Sequence, residues 1–184
     1  PTQDMSAFLA SISDKPDTVV VASVVPSMNA LIESRFDKAF FVNSDTIPQL
    51  SFSISDPVQV GADRLVTALA AAQLYKKNCL IIDSGTAITF ERVTGDGVYL
   101  GGMILPGMEL ASKSLNDYTA QIPLIWVEPR DSLLGGNTKD AVASGLYFGY
   151  REMINGLINQ FRKETPEVVV LGAVSYTHLT LPTR

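Results

Sequence analysis

Apolar residues run without a break from Cys79 to Ile82 and stop at Asp83. A short polar turn, Ser84-Gly85-Thr86, follows, and residues 87–90 (A-I-T-F) turn apolar again. This pattern predicts a buried strand, a tight turn and a second strand leading back out. Upstream, Phe8, Leu9 and Ile12 are spaced for one face of a helix over residues 3–13, which D-K-P-D at 14–17 ends. Residues 18–22 (T-V-V-V-A) are short, apolar and β-branched, as in a buried strand of parallel type. Pro26 suits the first turn of a helix carrying Met28, Leu31, Ile32 and Phe36, and residues 39–42 read as another strand. Strand and helix alternate, so the expected class is α/β.

Residues 43–59 are polar and broken by proline, a loop or edge strand. Residues 65–77 (L-V-T-A-L-A-A-A-Q-L-Y-K-K) combine alanine, leucine and a basic final turn, which predicts a helix with Asp63 and Arg64 at its N-terminus. Beyond the central hairpin, Gly95-Asp96-Gly97 is a turn and residues 98–105 a strand interrupted by Gly101-Gly102, a bulge or a point of close approach. Pro106-Gly107 closes that strand, and residues 108–115 read as a helix. A connection follows in which Trp126, the one tryptophan, reads as a packing residue. A long helix then ends near Lys163, with Ile154, Leu157, Ile158 and Phe161 on one face. Gly145 and Gly149 in it allow close helix contact or a break, and a last strand begins at residue 167. There is no internal repeat; the helix from Leu65 divides the chain into α/β units at 1–64 and 65–174.

Composition narrows this picture. An apolar content of 46% with 18% charged residues is that of a globular chain. The net charge of -5 argues against a general nucleic-acid or membrane surface, while leaving room for small anionic ligands. The single cysteine, Cys79, rules out an internal disulfide and fits a reducing cytoplasm. No apolar run approaches membrane-spanning length. Pro1 enters directly into a helical pattern, which implies a missing native start. Residues 175–184 (S-Y-T-H-L-T-L-P-T-R) resemble translated cloning sequence, which sets aside His178, the only histidine.

Three places carry candidate chemistry, each with a plain structural alternative. At Asp83-Ser84-Gly85-Thr86, glycine permits successive N–H groups to point into one concavity around a phosphate, and Asp83 can hold a cation beside it. An ordinary D-S-G hairpin fits the same residues. At Gly61-Ala62-Asp63-Arg64, Gly61 permits close approach to a ligand, Arg64 can grip a carboxylate and Asp63 can accept a hydroxyl proton. Capping by Asp63 and a surface ion pair of Arg64 fit equally. At Gly135-Gly136-Asn137-Thr138, Asn137 or Thr138 can simply cap the long helix.

Together these stretches resemble the type III pantothenate kinases, bacterial enzymes of coenzyme A biosynthesis. S-V-V-P (23–26), G-A-D-R (61–64), D-S-G-T-A-I-T (83–89), G-G-M-I-L-P-G (101–107), T-A-Q-I-P (119–123), G-G-N-T (135–138) and S-G-L-Y-F-G (144–149) appear in the family's order and near its spacing. The resemblance implies an acetate and sugar kinase/Hsp70/actin-like fold of two ribonuclease H-like domains with ATP in the cleft between them. It implies transfer of the ATP γ-phosphoryl to the 4′-hydroxyl of pantothenate in a cytoplasmic homodimer, with the pocket completed across the interface. Asp63 corresponds to the general base, and Gly61, Ala62, Asp63 and Arg64 line the pantothenate site. Thr138 also contacts substrate, Thr86 contacts ATP, which carries Mg2+, and Asp83 holds a monovalent cation, potassium or ammonium.

The chain departs from the family at three points. No D-x-G-N-T phosphate loop opens it, L-G-A at 171–173 stands where the family has T-G-G, and Ile54 stands where a tyrosine is frequent. The resemblance therefore implies a fragment, inactive in isolation. Two rival readings are a superfamily kinase acting on another small carboxylic acid or sugar, which has no need of G-A-D-R, and a regulator of the Bvg accessory factor kind. A DNA-binding regulator needs a basic stripe, which the scattered Lys and Arg residues do not form.

Overall fold

The computed structural model describes residues 2–12 and 16–174, in two compact units. The expected non-native tail at 175–184 and residues 13–15, the expected end of the first helix and start of the D-K-P-D break, lie outside the described residues. Unit 1 comprises Pro1–Lys76 and Val93–Leu100, and unit 2 comprises Lys77–Arg92 and Gly101–Arg184.

Unit 1 begins with α1 (Thr2–Ser11), β1 (Val19–Val21), α2 (Pro26–Arg35) and β2 (Ala39–Phe41). β1 and β2 pair in parallel, Val19 opposite Ala39 and Val21 opposite Phe41, with α2 as the crossover that a parallel pair requires. The parallel pairing follows the expectation, but the burial does not. Val20 is 68% exposed, and only Val21 of that run is buried, because β1 turns alternate residues to opposite faces. Phe36, expected within the helix, is its extended C-cap. The segment read as loop or edge strand holds the two-residue β3 (Ser51–Phe52) and a single 3-10 turn at Pro57–Gln59. β3 pairs in parallel with the start of β6 (Val98–Pro106), Ser51 opposite Val98 and Phe52 opposite Tyr99.

The alanine-rich helix α3 spans Ala62–Tyr75. Ala62, Leu65, Ala68, Ala71 and Ala72 form its buried face at helical spacing. Asp63 and Arg64 thus lie within the first turn rather than before it, and the expected boundary at 64/65 falls inside this helix. Its end also differs: Lys76 caps it in the left-handed conformation (φ 51°), so the basic residues Lys76 and Lys77 stand past the last turn.

In unit 2, β4 (Cys79–Ser84), β5 (Ala87–Val93) and β6 follow one another through short turns, and β7 (Val169–Val174) closes the other side, in the order β6-β5-β4-β7. β7 runs parallel to β4 from Cys79 opposite Val169 to Ser84 opposite Val174. Cys79, Leu80, Ile81 and Ile82 are all buried, as expected of a strand covered on both faces. The long helix α5 (Thr138–Glu164) lays Ile154, Leu157, Ile158 and Phe161 against the Leu80, Ile82, Ile88, Phe90 and Val168 cluster. The Phe90 and Phe161 rings stack at 6.5 Å, and Arg92 lies over Phe161 while donating to Thr165 Oγ1 at 2.7 Å.

α4 (Met108–Tyr118) runs three residues further than the pattern suggested. β6 is continuous through Gly101 and Gly102. A Cβ on Gly102 would stand 2.1 Å from the Phe90 carbonyl oxygen, so glycine serves close strand approach there. Trp126 is 70% exposed rather than packed, and among the described residues a Cβ on Gly145 or Gly149 would meet nothing within 4 Å, in a helix that continues through both.

Candidate functional site

In unit 1 the G-A-D-R residues open α3. Gly61 is the N-cap and brings no capping side chain, while Ala62 is buried. Asp63 is exposed, and its Oδ1 accepts the Arg64 backbone N–H at 2.8 Å. A carboxylate in the first turn also meets the partial positive charge of the helix start. The space over Gly61 is taken by that same carboxylate: a Cβ there would lie 2.5 Å from Asp63 Oδ1 and 3.2 Å from Val24 Cγ1. Gly61 thus serves the close approach of Asp63.

Arg64 is partly buried, and its Nη2 donates to the phenolic oxygen of Tyr99 at 3.0 Å. Tyr99 is fully buried and lies against Phe52, ring centroids 6.0 Å apart. The arrangement joins a carboxylate and a guanidinium at one helix start, a set able to hold an acid and an alcohol.

In unit 2 the central hairpin turns at Gly85-Thr86. Asp83 is partly buried in the last part of β4, in register with Ala173 of β7. Gly85 does not use the left-handed region, which among the described glycines is used at Gly97 (φ 87°) and Gly101 (φ 100°). Its N–H donates to the Ala87 carbonyl at 2.9 Å, which commits one amide of the expected phosphate concavity to the hairpin itself.

Thr86 is exposed at the tip, and its carbonyl accepts the Gly107 N–H at 2.8 Å. Gly107 is held so closely that a Cβ would stand 2.2 Å from the Gly85 oxygen. Tyr150 of α5 in turn donates to the Pro106 carbonyl at 2.9 Å, and burial pushes its phenol pKa up. Thr86 also lines a cavity of about 220 Å³ with Glu109, Lys113, Leu124 and Trp126. Buried Ser112 pins the wall of that cavity, donating to the Ile125 carbonyl at 2.7 Å and accepting its N–H at 2.9 Å.

Thr138 is exposed at the first position of α5, on a different element from Asp83 and Thr86. The cap is its neighbour Asn137, which accepts the Asp140 N–H at 2.9 Å. Arg130 binds the Asp140 carboxylate at 2.6 Å, and that bond holds the Asp140 pKa below its ordinary value.

Gly61, Ala62, Asp63 and Arg64 therefore share one turn, and Asp83 and Thr86 share one hairpin. Tyr99, Tyr150 and Ser112 escaped the sequence reading, because no local spacing marks a residue that acts through a distant neighbour. Among the described residues no group of three or more His, Cys, Asp or Glu side chains forms a metal cluster, and no helix is long and apolar enough to cross a membrane.

These features define a mixed α/β protein with a carboxylate and a guanidinium at one helix start and a polar hairpin tip. Residues 2–160 match the family model described as type III pantothenate kinase. A type III pantothenate kinase of Endomicrobium trichonymphae is 39% identical over 149 residues, 78% of this chain and 58% of the relative. One of Desulforapulum autotrophicum is 33% identical over 166 residues, 85% and 63% of the two chains. One of Fervidobacterium nodosum is 37% identical over 158 residues, 82% and 62%. The crystal structure of a chain from Campylobacter jejuni, described as a Baf family transcriptional activator, shares the fold with a TM-score of 0.55 at 21% identity, over 83% of this chain and 68% of that one. The chain belongs to the type III pantothenate kinase family. It spans less than two thirds of the length of these three pantothenate kinases.

Proposed function

We propose that the protein transfers the γ-phosphoryl group of ATP to the 4′-hydroxyl of pantothenate, the first step toward coenzyme A. The observation that carries this reading is the exposed Asp63 carboxylate beside Arg64 at the start of α3, in a chain of this family. Pantothenate has one carboxylate and one primary hydroxyl. Arg64 complements the first, and Asp63 orients the second and accepts its proton late in the transfer. Gly61 and Ala62 supply the backbone of that turn, and Thr138 is assigned a further substrate contact.

Phosphoryl transfer depends mainly on positioning and charge compensation. On this reading Thr86 at the hairpin tip contacts the nucleotide, whose phosphates bring the Mg2+; that ion keeps several waters and needs few protein carboxylates. Asp83 holds the monovalent cation. A single carboxylate suits such an ion.

The same reading takes the strand order β6-β5-β4-β7, a meander with a parallel neighbour, as ribonuclease H-like within an acetate and sugar kinase/Hsp70/actin-like fold. It also makes the protein a cytoplasmic homodimer whose pocket is completed by the second copy, with this chain as the greater part of each subunit.

The test is ATP-dependent phosphorylation of pantothenate, with and without potassium, by this chain and by a version extended to the length of its relatives. Turnover in the extended protein, stimulated by potassium and reduced at least a hundredfold in Asp63→Asn, is the expected result. An extended protein that binds ATP and leaves pantothenate unmodified would sink the assignment.

A further inference from the structure

We propose that Tyr99 is a positioning residue that sets the direction of the Arg64 guanidinium, and through it the selection of a carboxylate-bearing substrate. The inference rests on the assignment of Arg64 to the substrate carboxylate for its consequence, and on geometry alone for the pairing. A guanidinium is a planar fork on a long flexible stem, so holding one N–H fixes where the others point. At the root, the Arg64 backbone N–H is held by Asp63 Oδ1 at 2.8 Å. Near the tip, Nη2 is held by the Tyr99 phenolic oxygen at 3.0 Å.

The anchor is itself held on several sides. Tyr99 has no exposed surface, pairs in register with Phe52, accepts the Ser53 N–H on its carbonyl at 2.9 Å, and rests its ring on that of Phe52. A phenol oxygen accepts from a guanidinium without itself adding a charge at that point.

The test compares the extended protein with its Tyr99→Phe variant, which keeps the ring and loses the hydroxyl. Two substrates are used: pantothenate, and pantothenol, in which a neutral hydroxymethyl group replaces the carboxylate. Tyr99→Phe is expected to raise KM for pantothenate about tenfold with kcat little changed, while KM for pantothenol stays within about twofold. Equal effects on the two substrates, or none on either, would overturn the positioning role.

A second readout does not depend on turnover. In protein labelled with 15N-arginine, the Arg64 guanidinium protons of the unaltered chain should exchange slowly with water and show cross-relaxation to the Tyr99 ring. Exchange should quicken several-fold in Tyr99→Phe. Fast exchange in the unaltered protein would overturn the pairing even if the variant failed to fold. If neither substrate is phosphorylated while Arg64 stays protected, the pairing stands and the pantothenate assignment falls.

Discussion

Gly61 and Asp63 show how one absent methyl group decides where a carboxylate can stand. Asp63 Oδ1 occupies the place a side chain on Gly61 would take, at 2.5 Å. Gly61→Ala must therefore push the carboxylate off the Arg64 N–H or move the helix start. We expect a folded protein with phosphorylation lowered at least tenfold, read by the same assay used for Asp63→Asn. Near-normal turnover in Gly61→Ala would separate the position of Asp63 from its role. Cys79 illustrates the opposite case, a residue type that suggests reactivity and a position that removes it. The thiol is fully buried and its pKa is raised by desolvation. It should resist alkylation in the native protein and react only as the chain unfolds, so iodoacetamide labelling followed by mass spectrometry reports global opening. Rapid labelling of the folded chain would contradict its burial.

At the scale of elements, polar anchors hold the cavity wall and the start of α5. Ser112 satisfies both backbone groups of Ile125, which is buried. Ser112→Ala leaves a buried N–H and C=O without that partner, at a cost of about 2 kcal/mol. Trp126 follows directly in the chain, so its emission should change in the folded variant along with the lowered denaturation midpoint. An unchanged midpoint would mean that other groups or water replace the hydroxyl.

The Arg130–Asp140 pair gives α5 a pH-dependent start. The folded-state pKa of Asp140 is depressed, first by the Arg130 hydrogen bond. The stability it contributes is therefore present above its unfolded value and is lost as pH falls through the folded value. Asp140→Asn should lower Tm near neutral pH, and the gap from the unaltered chain should close in acid below the ordinary carboxylate range. A gap that persists there would point to packing instead of charge. The asparagine cap, Asn137 to the Asp140 N–H, was legible in the sequence as one of two candidates. The salt bridge was not, since its partners stand ten positions apart with mostly irregular chain between them.

At the scale of the whole molecule, the sequence by itself determined the order and type of most elements and the family. It did so because hydrophobic periodicity, glycine and proline punctuation and short motifs are local signals. The parallel β1–α2–β2 unit, the β4–β5 hairpin and the apolar face of α5 on the core all follow from such patterns. Tertiary structure alone decided the rest. It left Val20 and Trp126 exposed, drew α3 back to Ala62 so that Asp63 and Arg64 entered its first turn, and spent the Gly85 amide on the hairpin. It also brought Tyr99 to Arg64 across 35 positions and Tyr150 to Pro106 across 44. Burial and long-range hydrogen bonding depend on which elements meet, and no local period in a chain records that.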